Sequence, residues 1–163
     1  MNNLSRRRFF EDSVVAAAAF SLPATLVTAE SAAVSANGKL MAAILGCGIC
    51  GKAHARELAK LIDCDIAYVC DPDLDRADEV GALLVELNRP MPKKIQDLRE
   101  ALDDKSVVVV FVATPNHWHA LASIWAMQAG KDVYCEKPVS HNVTEGRRMV
   151  QTARKYGRIC QAA

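Results

Sequence analysis

Gly46, Gly48 and Gly51 stand in a Gly-x-Gly-x-x-Gly spacing, directly after the apolar run Met41–Leu45 and directly before a helical pattern. A strand, a glycine turn and a helix in that order suit a pyrophosphate. Gly46 permits the tight turn, Gly48 lets the backbone approach a ligand, and Gly51 lets the helix pack close to the strand. The N–H groups that open the helix, those of Ile49 and Cys50, lie at the positive end of its dipole and can hold phosphate charge. Three glycines alone also mark ordinary turns, so the reading leans on Asp71. It follows Gly51 by twenty residues and closes a second apolar run, Ile66–Cys70. A carboxylate there accepts hydrogen bonds from the ribose hydroxyls of NAD and repels the 2′-phosphate of NADP, so NAD is expected over NADP. The plain alternative is an Asp71-Pro72 turn opener.

Two further segments carry polar groups to strand ends. Thr114, Pro115, Asn116 and His117 follow the run Val107–Val112, and Glu136, Lys137 and Pro138 follow Lys131–Cys135. In an open parallel sheet, ligands bind beyond the carboxyl ends of the strands. Four polar segments at four such ends would meet at one edge.

Cys47 and Cys50 form a C-x-x-C within the glycine turn. No second C-x-x-C and no histidine pair at zinc spacing completes four ligands, so no metal is expected. Redox activity stays open, because a helix N-terminus can lower a thiol pKa. His117 and His119 lack a nearby carboxylate or cysteine in sequence, which argues against a metal pair. With Cys64, Cys70, Cys135 and Cys160, the cysteines read as small hydrophobes rather than a disulfide framework. Trp118 reads as packing.

The elements that must position these residues follow from periodicity. A helix is predicted over Lys52–Leu61, with Ala55, Leu58, Leu61 and Ile62 on one stripe, and a second over Leu74–Leu87, with Ala77, Val80, Leu84 and Leu87. A short helix is predicted over Ile95–Leu102 and another over Ala120–Ala129, stopped by Gly130. Asn142 or Thr144 caps a helix running to Tyr156, and a last strand spans Arg158–Ala162. Val107–Val112 is apolar without alternation, as in a strand buried on both faces of a parallel sheet. Helix and strand alternate throughout, so right-handed crossovers predict an α/β doubly wound parallel sheet, a Rossmann dinucleotide-binding fold, over residues 39–163.

The chain has 163 residues, 51% of them hydrophobic and 24% charged, with a formal net charge of +1. That is room for one ordinary domain. The near-neutral balance excludes a dedicated nucleic-acid surface. At the start, Ser5-Arg6-Arg7-Arg8-Phe9-Phe10 resembles the twin-arginine export signal, and the apolar stretch Val14–Val27 after it is too short for a comfortable membrane span. Residues 1–36 are therefore expected to be an export signal outside the fold, read by the twin-arginine translocation machinery. The protein would then lie in the periplasm or on the outer side of the cytoplasmic membrane. An uncleaved anchor or a basic tail is the alternative.

Ala113-Thr-Pro-Asn-His-Trp-His119, with Glu136-Lys-Pro138 about twenty residues later, resembles the glucose-fructose oxidoreductase/inositol dehydrogenase/rhizopine catabolism (Gfo/Idh/MocA) family. The similarity covers residue 39 to the end. It implies an oxidoreductase moving hydride between NAD and a sugar, cyclitol or related polyol. It assigns Thr114, Pro115, Asn116 and His117 to the border of the nicotinamide, and Lys137 to catalysis beside the cofactor. Glu136, counted with the cofactor-binding residues and not as catalytic, can orient Lys137 or cap neighbouring backbone. A lysine beside an oxidised nicotinamide meets a like charge and partial desolvation, and both favour the neutral amine that can take a proton.

The resemblance also implies a second, α+β domain that shapes the sugar pocket. This chain is expected to be the cofactor-binding half without it, inactive in turnover by itself and prone to self-association through exposed apolar surface. Two alternatives remain at this stage. One is an NAD-dependent glycoside hydrolase of the same family; the other is a non-catalytic dinucleotide-binding fragment.

Overall fold

The computed structural model describes residues 38–163; the expected export signal, residues 1–36, lies outside the described residues. Six parallel strands form one sheet. They are β1 (Leu40–Leu45), β2 (Cys64–Cys70), β3 (Lys93–Ile95), β4 (Val107–Val112), β5 (Asp132–Cys135) and β6 (Cys160–Ala162). The helices between them are α1 (Ile49–Leu58), α2 (Leu74–Glu86), α3 (Leu98–Asp103), α4 (Asn116–Gln128) and α5 (Val143–Tyr156). The strand order is β3-β2-β1-β4-β5-β6, so the chain reverses direction across the sheet between β1 and β4. This is the expected Rossmann arrangement.

Each face of the sheet is buried by its own helices. Ala42 and Ile44 of β1 join Ala55 and Leu58 of α1 and Ala77, Val80 and Leu84 of α2 in one cluster. Ala43 and Leu45 point the other way, toward Ala101 and Leu102 of α3, Ala122, Ala126 and Met127 of α4, and Met149 of α5. A strand covered on both sides must be apolar at every position, which is why β1 and β4 lack alternation. Val108, Val109 and Phe111 of β4 are nevertheless only partly buried.

Several sequence expectations are corrected. α1 begins at Ile49 rather than Lys52 and ends at Leu58, leaving Leu61 and Ile62 exposed beyond it. α4 begins at Asn116 rather than Ala120. The segment expected to be a helix over Ile95–Leu102 divides into edge strand β3 and helix α3, whose N-cap Asp97 accepts the Arg99 N–H. A three-residue edge strand carries too short a pattern to be seen in sequence. β5 starts at Asp132, one residue after Lys131, and β6 starts at Cys160 rather than Arg158. β2 extends back to Cys64. Leu87 caps α2 and is exposed, as is Trp118, which was expected to pack. Among the described residues, no helix is long and apolar enough to cross a membrane.

Candidate functional site

The sheet brings the four segments together. Continuation of the ladder past the strand ends pairs Gly46 N–H with Cys70 O (2.8 Å), Ala113 N–H with Leu45 O (2.8 Å) and Glu136 N–H with Val112 O (3.0 Å). β2, β1, β4 and β5 are neighbours, so Asp71, the glycine turn, Ala113–Asn116 and Glu136–Pro138 emerge side by side at one carboxyl edge, on the point where strand order reverses.

The glycine turn is shaped by contact. Gly46 has φ +92°, and a Cβ there would lie 2.6 Å from Ala113 O and 2.7 Å from Thr114 N, so the β1 turn rests on the β4 turn. A Cβ on Gly51 would lie 1.9 Å from Gly46 O and 3.5 Å from Ile44 Cγ2; only glycine lets α1 start this close to its own strand. Gly48 differs, since a Cβ there would meet no atom within 4 Å. The space in front of Gly48 is open to a ligand.

Asp71 is 8% exposed, and both of its oxygens are engaged: Oδ2 accepts the Cys47 N–H (2.8 Å) and Oδ1 accepts the Asp73 N–H (3.0 Å). The carboxylate thus latches the glycine turn to the end of β2 while keeping further lone pairs on each oxygen. Asp73 is half-exposed and N-caps α2, accepting the Asp75 N–H. It is a second carboxylate at this corner that the sequence reading passed over, although Asp71-Pro72-Asp73 announces it.

The helix N-termini along this edge fall into two groups. α2, α3 and α5 are capped by the side chains of Asp73, Asp97 and Asn142, with Asp75, Glu100 and Glu145 in their first turns. α1 and α4 have no side-chain cap and no acidic residue in the first turn. The Lys52 N–H makes the first bond within α1, to Gly48 O (2.9 Å), so those of Ile49, Cys50 and Gly51 have no intrahelical acceptor. Thr114 Oγ1 is buried without a protein partner among the described residues. Unpaired N–H groups, an open glycine and an orphaned hydroxyl fit a dinucleotide at this edge.

The sequence pairs His119 with His117, but the fold gives it another place. It is 2% exposed, and its ring joins two of the segments, with Nε2 2.6 Å from Thr114 O and Nδ1 2.8 Å from Pro138 O. A neutral ring can donate to one of these carbonyls and an imidazolium to both. His117, three residues along from Thr114, is exposed on the first turn of α4. Among the described residues, no group of three His, Cys, Asp or Glu side chains is placed to hold a metal ion.

Lys137 is exposed just beyond β5, joined to Pro138 by a cis peptide bond. Glu136 turns back: its Oε2 accepts the Lys137 N–H (3.2 Å), and Oε1 lies 3.0 Å from His54 Nε2 of α1. His54 went unnoticed in sequence because it sits among helix-spaced apolar positions.

All six cysteines are free. Cys47 is buried, as a small hydrophobe would be, whereas Cys50 is exposed. Burial first and the Asp71 charge second push the Cys47 thiol up to about 12, which removes the thiolate that redox chemistry at this C-x-x-C would need from Cys47. A separate cavity of about 350 Å³ under α5, lined by Val139, Met149, Val150, Ala153 and Cys160, lies off the glycine turn toward β6.

Residues 40–163 match the oxidoreductase family with NAD-binding Rossmann fold, GFO_IDH_MocA. The chain belongs to this family. Inositol 2-dehydrogenase of Salmonella typhimurium is 31% identical over 121 residues, covering 73% of this chain and 34% of that protein. A glycosyl hydrolase family 109 protein of Stenotrophomonas maltophilia is 30% identical over 139 residues, covering 82% of this chain and 29% of that protein. The crystal structure of GenD2 from gentamicin A biosynthesis, in complex with NAD, superposes with a TM-score of 0.71 at 26% identity over 77% of this chain and 34% of GenD2. The chain thus spans about a third of the length of the relatives it matches.

Proposed function

We propose that this chain supplies the NAD-binding half of an oxidoreductase acting on a sugar, cyclitol or related polyol. The observation that carries the reading is the convergence of the glycine turn, Asp71, Thr114–His117 and Glu136–Lys137 on one carboxyl edge of four adjacent strands. Gly46, Gly48 and Gly51 shape the pyrophosphate cradle, and the N–H groups of Ile49 and Cys50 face the phosphates. Asp71 favours ribose hydroxyls over a 2′-phosphate, so NAD is preferred to NADP. Thr114, Pro115, Asn116 and His117, with Glu136, border the nicotinamide end. When bound, NAD supplies the hydride acceptor. Lys137 takes the proton of the substrate hydroxyl at Nζ as the carbon is oxidised.

Calorimetric titration with NAD and NADP tests the cofactor reading: saturable NAD binding, tighter than NADP, is expected, and absence of NAD binding would sink it. A panel of sugars and cyclitols, followed by NADH formation, tests the substrate class. If turnover is found, Lys137→Ala should abolish it while NAD still binds. A second reading, glycoside hydrolysis, draws on the family 109 relative. Release of sugar from a chromogenic glycoside without net NADH would favour it.

We further propose export by the twin-arginine machinery, from the Ser5–Phe10 pattern. Arg6→Lys with Arg7→Lys should then hold the protein in the cytoplasm; equal fractionation of variant and parent would refute this. Self-association through exposed apolar residues such as Val150 and Ile159 is the accompanying proposal, checked by sedimentation.

A further inference from the structure

We propose that His54 is a positioning residue for Lys137, acting through the Glu136 carboxylate; this rests on the reading of Lys137 as the proton acceptor. Position 54 lies among the residues Gly51, Ala55 and Leu58 with which α1 buries itself on the sheet. A small or aliphatic side chain would serve packing there, and a polar nitrogen brought into such a face costs free energy unless it finds a partner. The imidazole is fixed by two rings from the sheet. Tyr134 of β5 meets it edge-on (centroids 5.6 Å apart, 79°), and Phe111 of β4 meets it tilted (5.6 Å, 47°). Phe111 and Tyr134 are themselves 5.4 Å apart, so the pocket is preformed.

Within this pocket Nε2 is wholly covered, and Glu136 Oε1 lies 3.0 Å from it; each side chain is 16% exposed. The contact has ion-pair distance, but the oxygen lies off the N–H direction. Such bonds in a free enzyme often tighten when ligand binds. The other carboxylate oxygen accepts the Lys137 N–H, and the Glu136 N–H is tied to Val112 O. Glu136 is therefore held by two hydrogen bonds, and its remaining oxygen lies against the helix whose N-terminus faces the phosphates.

Lys137 makes no ion pair among the described residues, so the path of its backbone sets where Nζ can go. His54 ties that path to α1. The titratable groups in contact with His54 are Glu136 and Tyr134, while Lys52 on the same helix is drawn to Glu79 of α2.

Nuclear magnetic resonance of the ¹⁵N-labelled chain tests this without requiring turnover. The Lys137 amide resonance should move in His54→Leu, and should not move further when His54→Leu is added to Glu136→Gln. An amide unmoved by His54→Leu, or one that His54→Leu still moves in the Glu136→Gln chain, overturns the proposal. A second measurement separates positioning from mere packing. With NAD bound, the neutral amine is favoured and acylation of Lys137 should be faster, and in His54→Leu that acceleration should fall about tenfold, the order set by one hydrogen bond to a charged group. His54→Gln, which retains an N–H donor, should restore it. Undiminished acceleration in His54→Leu overturns the proposal, as does a failure of His54→Gln to rescue in a chain whose spectrum shows it folded. Calorimetry with NAD on the same samples keeps the two readings apart: no NAD binding sinks the cofactor reading, whereas a missing His54–Lys137 coupling sinks only this one.

Discussion

Asp71 Oδ2 accepts the Cys47 N–H at 2.8 Å, so the residue just beyond β2 holds the turn that leaves β1. With its other oxygen on Asp73 N–H, the carboxylate is a structural latch as well as the expected ribose acceptor. Asp71→Ala should therefore cost about 1.5–3 kcal/mol of folding stability, the range for hydrogen bonds to a charged group. Its preference for NAD over NADP should also narrow about tenfold or more, as expected when one charged contact is lost. Urea denaturation and paired cofactor titrations read the two effects separately.

Two glycines three residues apart should answer differently to the same substitution. Gly51→Ala puts a Cβ 1.9 Å from Gly46 O, which forces α1 away from β1 and should cost about 1–3 kcal/mol or more. Gly48→Ala meets open space, so the fold should keep its denaturation midpoint while NAD affinity drops. Equal loss of stability in both variants would contradict the assignment of the open side of the turn to the ligand.

His119 joins the Thr114 turn to the Pro138 turn through two carbonyls. In His119→Leu both carbonyls lose the ring they face, and at about 1–3 kcal/mol for a buried group left unsatisfied the variant should be among the least stable single substitutions at this edge. Chemical denaturation measures it. NAD affinity should fall with it, because the two turns that we propose border the nicotinamide are no longer tied.

Alkaline pH should unfold the protein through its buried thiols. Burial, followed by the Asp71 charge, pushes Cys47 and Cys70 up to about 12, and burial pushes Cys135 up to about 11, against 9.0 in an unfolded chain. The folded state thus keeps protons that the unfolded state gives up. The contribution is complete below pH 9 and is lost as pH rises through 11 to 12. Between those limits the slope is about 1.4 kcal/mol per pH unit for each thiol. Cys47→Ala combined with Cys70→Ala should flatten the fall in denaturation midpoint above pH 9.

Much of this protein is local and therefore legible in its sequence. The Gly46–Gly51 spacing, the apolar runs of β1 and β4 and the Asn142 cap of α5 depend on residues close in the chain, and each specifies its element by sterics, burial or capping. Strand alternation with helices then leaves few topologies, so the parallel sheet and its carboxyl edge are legible, whereas edge strand β3 is not. Helix starts expected at Lys52 and Ala120 fall at Ile49 and Asn116 instead, because neither α1 nor α4 has a side-chain cap to mark its boundary; the free N–H groups that suit phosphate go with that missing mark.

What tertiary structure decided is how residues far apart in sequence share one space. Nothing near His54 in the chain announces Glu136, and nothing near Asp71 announces the Cys47 N–H; parallel pairing of β1, β2, β4 and β5 sets those distances. His119 reads in sequence as one of a pair with His117, but the helix turns only one of them inward, where two carbonyls from separate loops converge on it. Sequence supplied the chemical groups and the elements that carry them. Burial on both faces of the sheet decided which polar groups had to find each other.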